Sequence, residues 1–169
     1  MALIVETGAG LIDAESYCTV AFADGYHADR GNDAWDAIDN KEAALRKAAD
    51  YIQQTYRSSW LGFRVRQTQA MDWPRYQVQR DKSGVYPLIA YYPADSVPLE
   101  IQKAQAELAL KSIAGELLAD IEPPISSEQV GPLLISYFQG DIRTKKYPAI
   151  DRLLSPFLNS SLNIKVARA

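Results

Sequence analysis

Residues 96–120 read SVPLEIQKAQAELALKSIAGELLAD, and this stretch decides the fold. Ser96 is placed to cap the first free N–H groups of a helix, and Pro98 falls in the first turn, where a missing N–H costs nothing. On a 3.6-residue period, Val97, Ile101, Ala104, Leu108, Ser112 and Gly115 share one face. Leu99, Ala106, Leu110, Ile113 and Leu117 share a nearly opposite one. Two apolar faces require two packing partners, so the helix is read as central. Strips carrying Glu100, Glu107 and Lys111, and Gln102, Gln105 and Glu116, keep it from full enclosure. Small residues at Ala104, Ala109, Ala114 and Gly115 let neighbours approach closely.

Upstream, Asp39 followed by Glu42 reads as a capping box, and Leu45, Ala48, Ala49, Ile52 and Tyr56 mark one face of a second long helix over about 40–57. Before it, Ser16 to Arg30 reads as a helix closed by Gly31, with Tyr17, Val20, Ala21 and Tyr26 inward, followed by a turn that buries Trp35. Residues 58–95 hold Gly62, Pro74, Gly84, Pro87 and Pro93 without a helical period, which makes them a long insertion of loops and short strands. After Pro123 and Pro124, QVGPLLISYF reads as a strand kinked at Gly131 and Pro132. YPAIDRLLSPFL then gives a short helix with Ile150, Leu153 and Leu154 inward, ending near Pro156. In the tail, Leu162, Ile164 and Val166 recur every second residue and so fall on one side of a strand with no evident partner in its own chain. The expected fold class is mainly α, a small helical bundle around a central helix with a small β element. The expected organisation is a helical domain over 1–158, with 58–95 inserted in it, and an extended C-terminal arm over 159–169 that adds itself to a neighbour's sheet edge or groove.

At 169 residues and 47% apolar composition, the chain suits a single domain with a real core. It has no apolar run of roughly 18 residues and no basic leader, so neither a membrane span nor a secretory signal is expected. A single cysteine, Cys18, excludes an internal disulfide, and with His27 as the one histidine no Cys/His metal site can be assembled. There is no glycine-rich phosphate loop, GxSxG elbow, HExxH or calcium loop. The expectation is a protein that is not an enzyme, with no catalytic residue, no metal and no cofactor.

Formal charge is −3 but uneven. Residues 1–39 sum to −7, from eight carboxylates against Arg30, while residues 57–82 sum to +4, from six cations against Asp72 and Asp81. That basic stretch, RSSWLGFRVRQTQAMDWPRYQVQRDK, interleaves cations with Trp60, Phe63, Trp73 and Tyr76. Single-stranded nucleic acid is held by this mixture, with bases stacking on Trp60, Trp73 and Tyr76 while the cations follow phosphates. The same aromatics can instead fill the edge of a helical core. A third reading is a subunit edge, with Arg64, Arg66, Arg75 and Arg80 meeting Asp29, Asp33 and Asp36 of a neighbour.

Taken together, ETGAG at 6–10, SYCTVAFADGYHADRGNDAW at 16–35, EAALRKAADYI at 42–52, MDWPR at 71–75, VPLEIQKAQAELAL at 97–110, SEQVGPLLISY at 127–137 and YPAIDRLL at 147–154 resemble the tailed-phage head-to-tail connector or neck adaptor proteins. Members of that family are often labelled DnaT-like single-stranded DNA-binding proteins. The resemblance implies a structural virion protein made in the host cytoplasm. It implies a closed homo-oligomeric ring of about twelve copies, in contact with the phage portal protein and a downstream neck or tail protein. Double-stranded DNA would pass through the lumen without sequence-specific binding. On that reading the candidate contacts are Arg64, Arg66, Arg75, Arg80, Asp29, Asp33, Asp36, Leu162, Ile164 and Val166. The alternative carried by the family label is a DnaT-like protein that binds single-stranded DNA in replication.

Overall fold

A computed structural model describes residues 2–80, 90–118, 127–130, 133–136 and 147–159, with 127–130 and 133–136 as backbone. The architecture is mainly helical, as expected. Helix α1 runs Val20–Ala28, α2 Lys41–Tyr56, α3 Leu99–Lys111 and α4 Pro148–Leu154. Strands β1 Phe63–Arg64 and β2 Arg75–Tyr76 pair antiparallel, as do β3 Ser127–Val130 and β4 Leu133–Ser136. No helix among the described residues is long and apolar enough to cross a membrane.

Helix α2 follows the sequence expectation closely. Leu45, Ala48, Ala49, Ile52 and Tyr56 are all buried on one face. The cap is Asn40 rather than Asp39, its side chain accepting from the Ala43 N–H at 2.9 Å. Helix α3 is central, packing on α1, α2 and α4, but it is shorter than its periodicity implied. Ser96 makes no cap bond. The helix tightens into a single 3-10 turn over Ser112–Ala114 and breaks at Gly115, whose φ of 135° an L-residue rarely adopts. The first apolar face is buried at Val97, Ile101, Ala104 and Leu108, whereas the second is only partly covered and leaves Leu99 and Ile113 exposed.

Helix α1 starts later than expected because Ser16 is engaged elsewhere. Its hydroxyl donates to the Cys18 carbonyl at 2.7 Å and accepts from Gln105 Nε2 at 2.8 Å, so Thr19 caps the helix instead. Tyr17 is buried as expected, but Ala23 and His27 take the inward positions of the helix, and Ala21 is exposed. Trp35 lies fully buried in a 3-10 turn, with its indole N–H on Asp24 at 2.7 Å. In α4, Ile150 and Leu154 point inward, and Leu153 is half-buried. β3 and β4 are not one kinked strand but an antiparallel pair, with Val130 opposite Leu133, while Gly131 and Pro132 lie outside the described residues. The proposed arm with Leu162, Ile164 and Val166 lies outside the described residues.

Candidate functional site

The described part of the insertion after α2, residues 58–80 and 90–95, forms a shelf on the bundle, built from the inside outward. Trp73 is completely buried and meets Phe157 edge-on at 5.4 Å and Trp60 at 6.0 Å. Beside it, the buried Arg75 guanidinium donates to three carbonyls: Leu61 at 2.7 Å, Gly62 at 2.7 Å and Asp72 at 3.2 Å. Burial pulls this guanidinium below its ordinary pKa, and the Asp72 carboxylate partly restores it. Arg64 donates to the Gln69 and Met71 carbonyls, and Gln69 Nε2 bridges the Met71 and Pro74 carbonyls at 2.8 and 3.1 Å. Gly62, at φ 65°, lies so close to β2 that a Cβ there would stand 2.3 Å from the Tyr76 carbonyl oxygen. Such contacts fix the backbone of the shelf without using its outer surface.

That outer surface carries aromatic rings. Phe63 and Tyr76 are register partners, 59% and 43% exposed, with ring centroids 5.6 Å apart and planes tilted by 36°. Val65, 39% exposed, continues the face by two-residue alternation, and Arg66 follows it, also exposed. A base sandwiched between two rings needs about 6.8 Å, twice the 3.4 Å stacking step, so this pair offers its outer faces to a flat ligand rather than a slot. Neither Arg66 nor Arg80 has a carboxylate within ion-pairing distance among the described residues.

The structure therefore redistributes the residues singled out from the sequence. Trp60 and Trp73 are 6% and 0% exposed and have no face to give to a base, so they belong to the core edge. The Tyr76 ring is exposed, and the exposed Phe63 ring stands beside it. Arg64 and Arg75 are committed to carbonyls of their own loop and are not free edge cations, whereas Arg66 and Arg80 are exposed. Asp29, Asp33 and Asp36 are exposed around the α1–α2 corner, with Asp36 3.4 Å from Lys41. The signal for Phe63 lay in the alternation Phe63–Arg64–Val65 after a glycine, which sends Phe63 and Val65 to the same side. Elsewhere, a cavity of about 340 Å3 between α2 and the end of α3 is lined by Lys47, Asp50, Tyr51, Gln54 and Leu118. Among the described residues, no three His, Cys, Asp or Glu side chains gather as metal ligands.

Comparison with known proteins gives one match. The model of the family described as "Putative DnaT-like ssDNA binding protein" covers residues 1–169. No curated protein and no solved structure matches the chain. This family match overturns the connector reading and the virion role that came with it, because the family so described covers the whole chain and nothing points to a neck adaptor. The portal, neck-protein and lumen assignments rested on that resemblance, and the ring on it together with the charge segmentation of the chain.

Proposed function

The chain belongs to the family of DnaT-like single-stranded DNA-binding proteins, and from that premise we propose that it binds unpaired DNA on the outer face of the β1–β2 hairpin. The observation that carries the reading is the exposed Phe63–Tyr76 ring pair on a shelf whose backbone is pinned from beneath. Bases of a single strand present their π-faces to such rings, whereas those of a duplex are already stacked on one another. Arg66 supplies a cation for the backbone phosphates, and the polar contacts that hold the loop leave the rings free. With an overall charge of −3, the protein lacks the broad basic field of a tight non-specific binder, so its affinity is modest and salt-sensitive.

The test is fluorescence anisotropy with labelled oligothymidylate against a hairpin duplex of equal length, for wild type, Phe63→Ala, Tyr76→Ala and the double variant carrying both substitutions. Stacking is worth about 1–3 kcal/mol per base by alanine substitution, so each variant should lose at least about fivefold in affinity while unfolding in urea as wild type does. Equal affinity for duplex and single strand, or wild-type binding by the double variant, would overturn the assignment.

A further inference from the structure

Beyond the hairpin, the chain that leaves β2 changes its phase. Arg75 is buried and Tyr76 exposed, then Val78 is buried and Gln79 half-buried, so the in–out alternation resumes one residue late. The extra residue is Gln77, the single non-glycine residue at positive φ (60°) among those described. A residue at positive φ bends the chain there, and the burial pattern continues one residue out of step beyond it. Without the extra residue, Tyr76 and Val78 would share a face. With it, Tyr76 and Gln79 both lie opposite the buried Arg75 and Val78.

Gln79 in turn faces Tyr91 across an antiparallel bridge, framed by the Arg80 N–H on the Ala90 carbonyl at 2.7 Å and the Tyr92 N–H on the Val78 carbonyl at 2.9 Å. Residues opposite each other in such a ladder project to the same side. Tyr92 goes the other way, its ring 4.9 Å from that of Phe157, which leaves Tyr91 outward and 53% exposed. The outer face thus carries Phe63, Tyr76 and Tyr91. Three residues separate the Tyr76 rung from the Gln79–Tyr91 rung, a span of about 10 Å at strand rise, or about two to three nucleotides at a rise of 3.4 Å or more. Beyond it, the exposed Arg80 lies with its guanidinium 5.9 Å from the Tyr92 ring.

We propose that Tyr91 is a second stacking position and that the ligand is an extended unpaired strand laid across the face from Phe63–Tyr76 to Tyr91, with Arg66 serving its phosphates. This rests on the single-stranded DNA reading above and adds to it a direction across the sheet and a minimum length. A dinucleotide reaches one position, and a hexanucleotide reaches both.

The experiment compares competition by thymidine dinucleotide and hexanucleotide for wild type, Tyr91→Ala, Tyr91→Trp and Phe63→Ala. Tyr91→Ala should weaken the hexanucleotide about fivefold or more and leave the dinucleotide unchanged, Tyr91→Trp should retain hexanucleotide affinity, and Phe63→Ala should weaken both. Wild-type hexanucleotide affinity in Tyr91→Ala, alongside a weakened Phe63→Ala, would overturn the second position and leave the hairpin reading standing. No binding of either oligonucleotide by wild type would overturn both.

Discussion

Gln105 Oε1, at the centre of α3, accepts the backbone N–H of Tyr17 across 2.7 Å inside the core. The amide nitrogen of the same side chain donates to Ser16 Oγ at 2.8 Å and to the Leu45 carbonyl at 2.9 Å, so one buried glutamine joins α3, α2 and the segment before α1. Tyr17 passes the connection on, its phenol oxygen accepting the Asp72 N–H at 3.1 Å. Asp72 lies in the loop that carries the aromatic shelf. A continuous set of hydrogen bonds therefore runs from the middle of the bundle to the candidate site.

Gln105→Met keeps the volume and removes all three bonds, stranding the Tyr17 N–H, while the Ser16 hydroxyl keeps its bond to the Cys18 carbonyl and the Leu45 carbonyl stays within helix α2. An unsatisfied buried group costs about 1–3 kcal/mol, and about 2 kcal/mol is the expected loss. A urea titration should show the midpoint falling at an unchanged slope. A variant as stable as wild type would mean that the glutamine is not the junction described.

The two classes of aromatic in the insertion separate by stability. Trp73→Ala empties a fully buried site and should cost about 3–5 kcal/mol, whereas Phe63→Ala and Tyr76→Ala remove exposed rings and should stay within about 1 kcal/mol of wild type. Thermal melts of the three variants check this. Loss of DNA binding in Trp73→Ala is then read through its unfolded fraction and says nothing about stacking.

This division could not be read from the sequence. Helix α2 was legible because sixteen residues repeat one pattern and its apolar face is uninterrupted. In α3 the apolar period continues past the helix into Ile113 and Leu117, so the pattern alone runs through the break that Gly115 makes. β1 and β2 are two residues each, too short for alternation to show which ring faces out, and Gln77 then shifts the phase. Tryptophan was the natural choice for a stacking residue by size, yet the same size made Trp60 and Trp73 the residues best able to fill the space between the loop and Phe157. Gln105 read as part of a solvated strip because its three partners come from segments distant in sequence.

Salt dependence tests the cations. On a single strand each neutralised phosphate adds about 0.7 to the slope of log affinity against log salt, so Arg66→Ala should flatten it by about that amount. Arg30→Ala should leave it unchanged, since that guanidinium lies 3.6 Å over the Tyr26 ring on α1. A titration series in potassium chloride gives the slopes, and an unaltered value for Arg66→Ala would remove that arginine from the site.

The α1–α2 corner should respond to acid. Lys41 Nζ donates to the Asp24 carboxylate at 2.8 Å, and the Trp35 indole adds a second bond, holding Asp24 below the usual carboxylate range. A depressed folded-state value gives stability that is present above the unfolded pKa of about 4 and is lost as pH falls through the lower folded value. Asp24→Asn should therefore be less stable than wild type at neutral pH, with the gap closing below about pH 4. Because the carboxylate is 44% exposed, solvent screening keeps that gap under about 1 kcal/mol. Urea midpoints across the acid range would reveal it, and a gap independent of pH would show that the ion pair does not produce the shift.

Cys18 offers a probe of how the core opens. Its side chain is 1% exposed beneath the start of α1, and burial pushes the thiol up to about 12, with the Ser16 hydroxyl only partly opposing the shift. The thiolate is the species that attacks a disulfide reagent, so the native protein at neutral pH presents neither the charge nor the access that reaction needs. Labelling by an aromatic disulfide should be negligible in buffer and complete in denaturing urea. Between these limits the rate follows the population that exposes the segment from Ser16 to Thr19. That segment is held by Gln105, so Gln105→Met should accelerate labelling by more than its loss of global stability accounts for if the segment opens locally. Equal changes in both would show that Cys18 is released only when the whole bundle unfolds. Rapid labelling of the wild-type protein would contradict the burial itself.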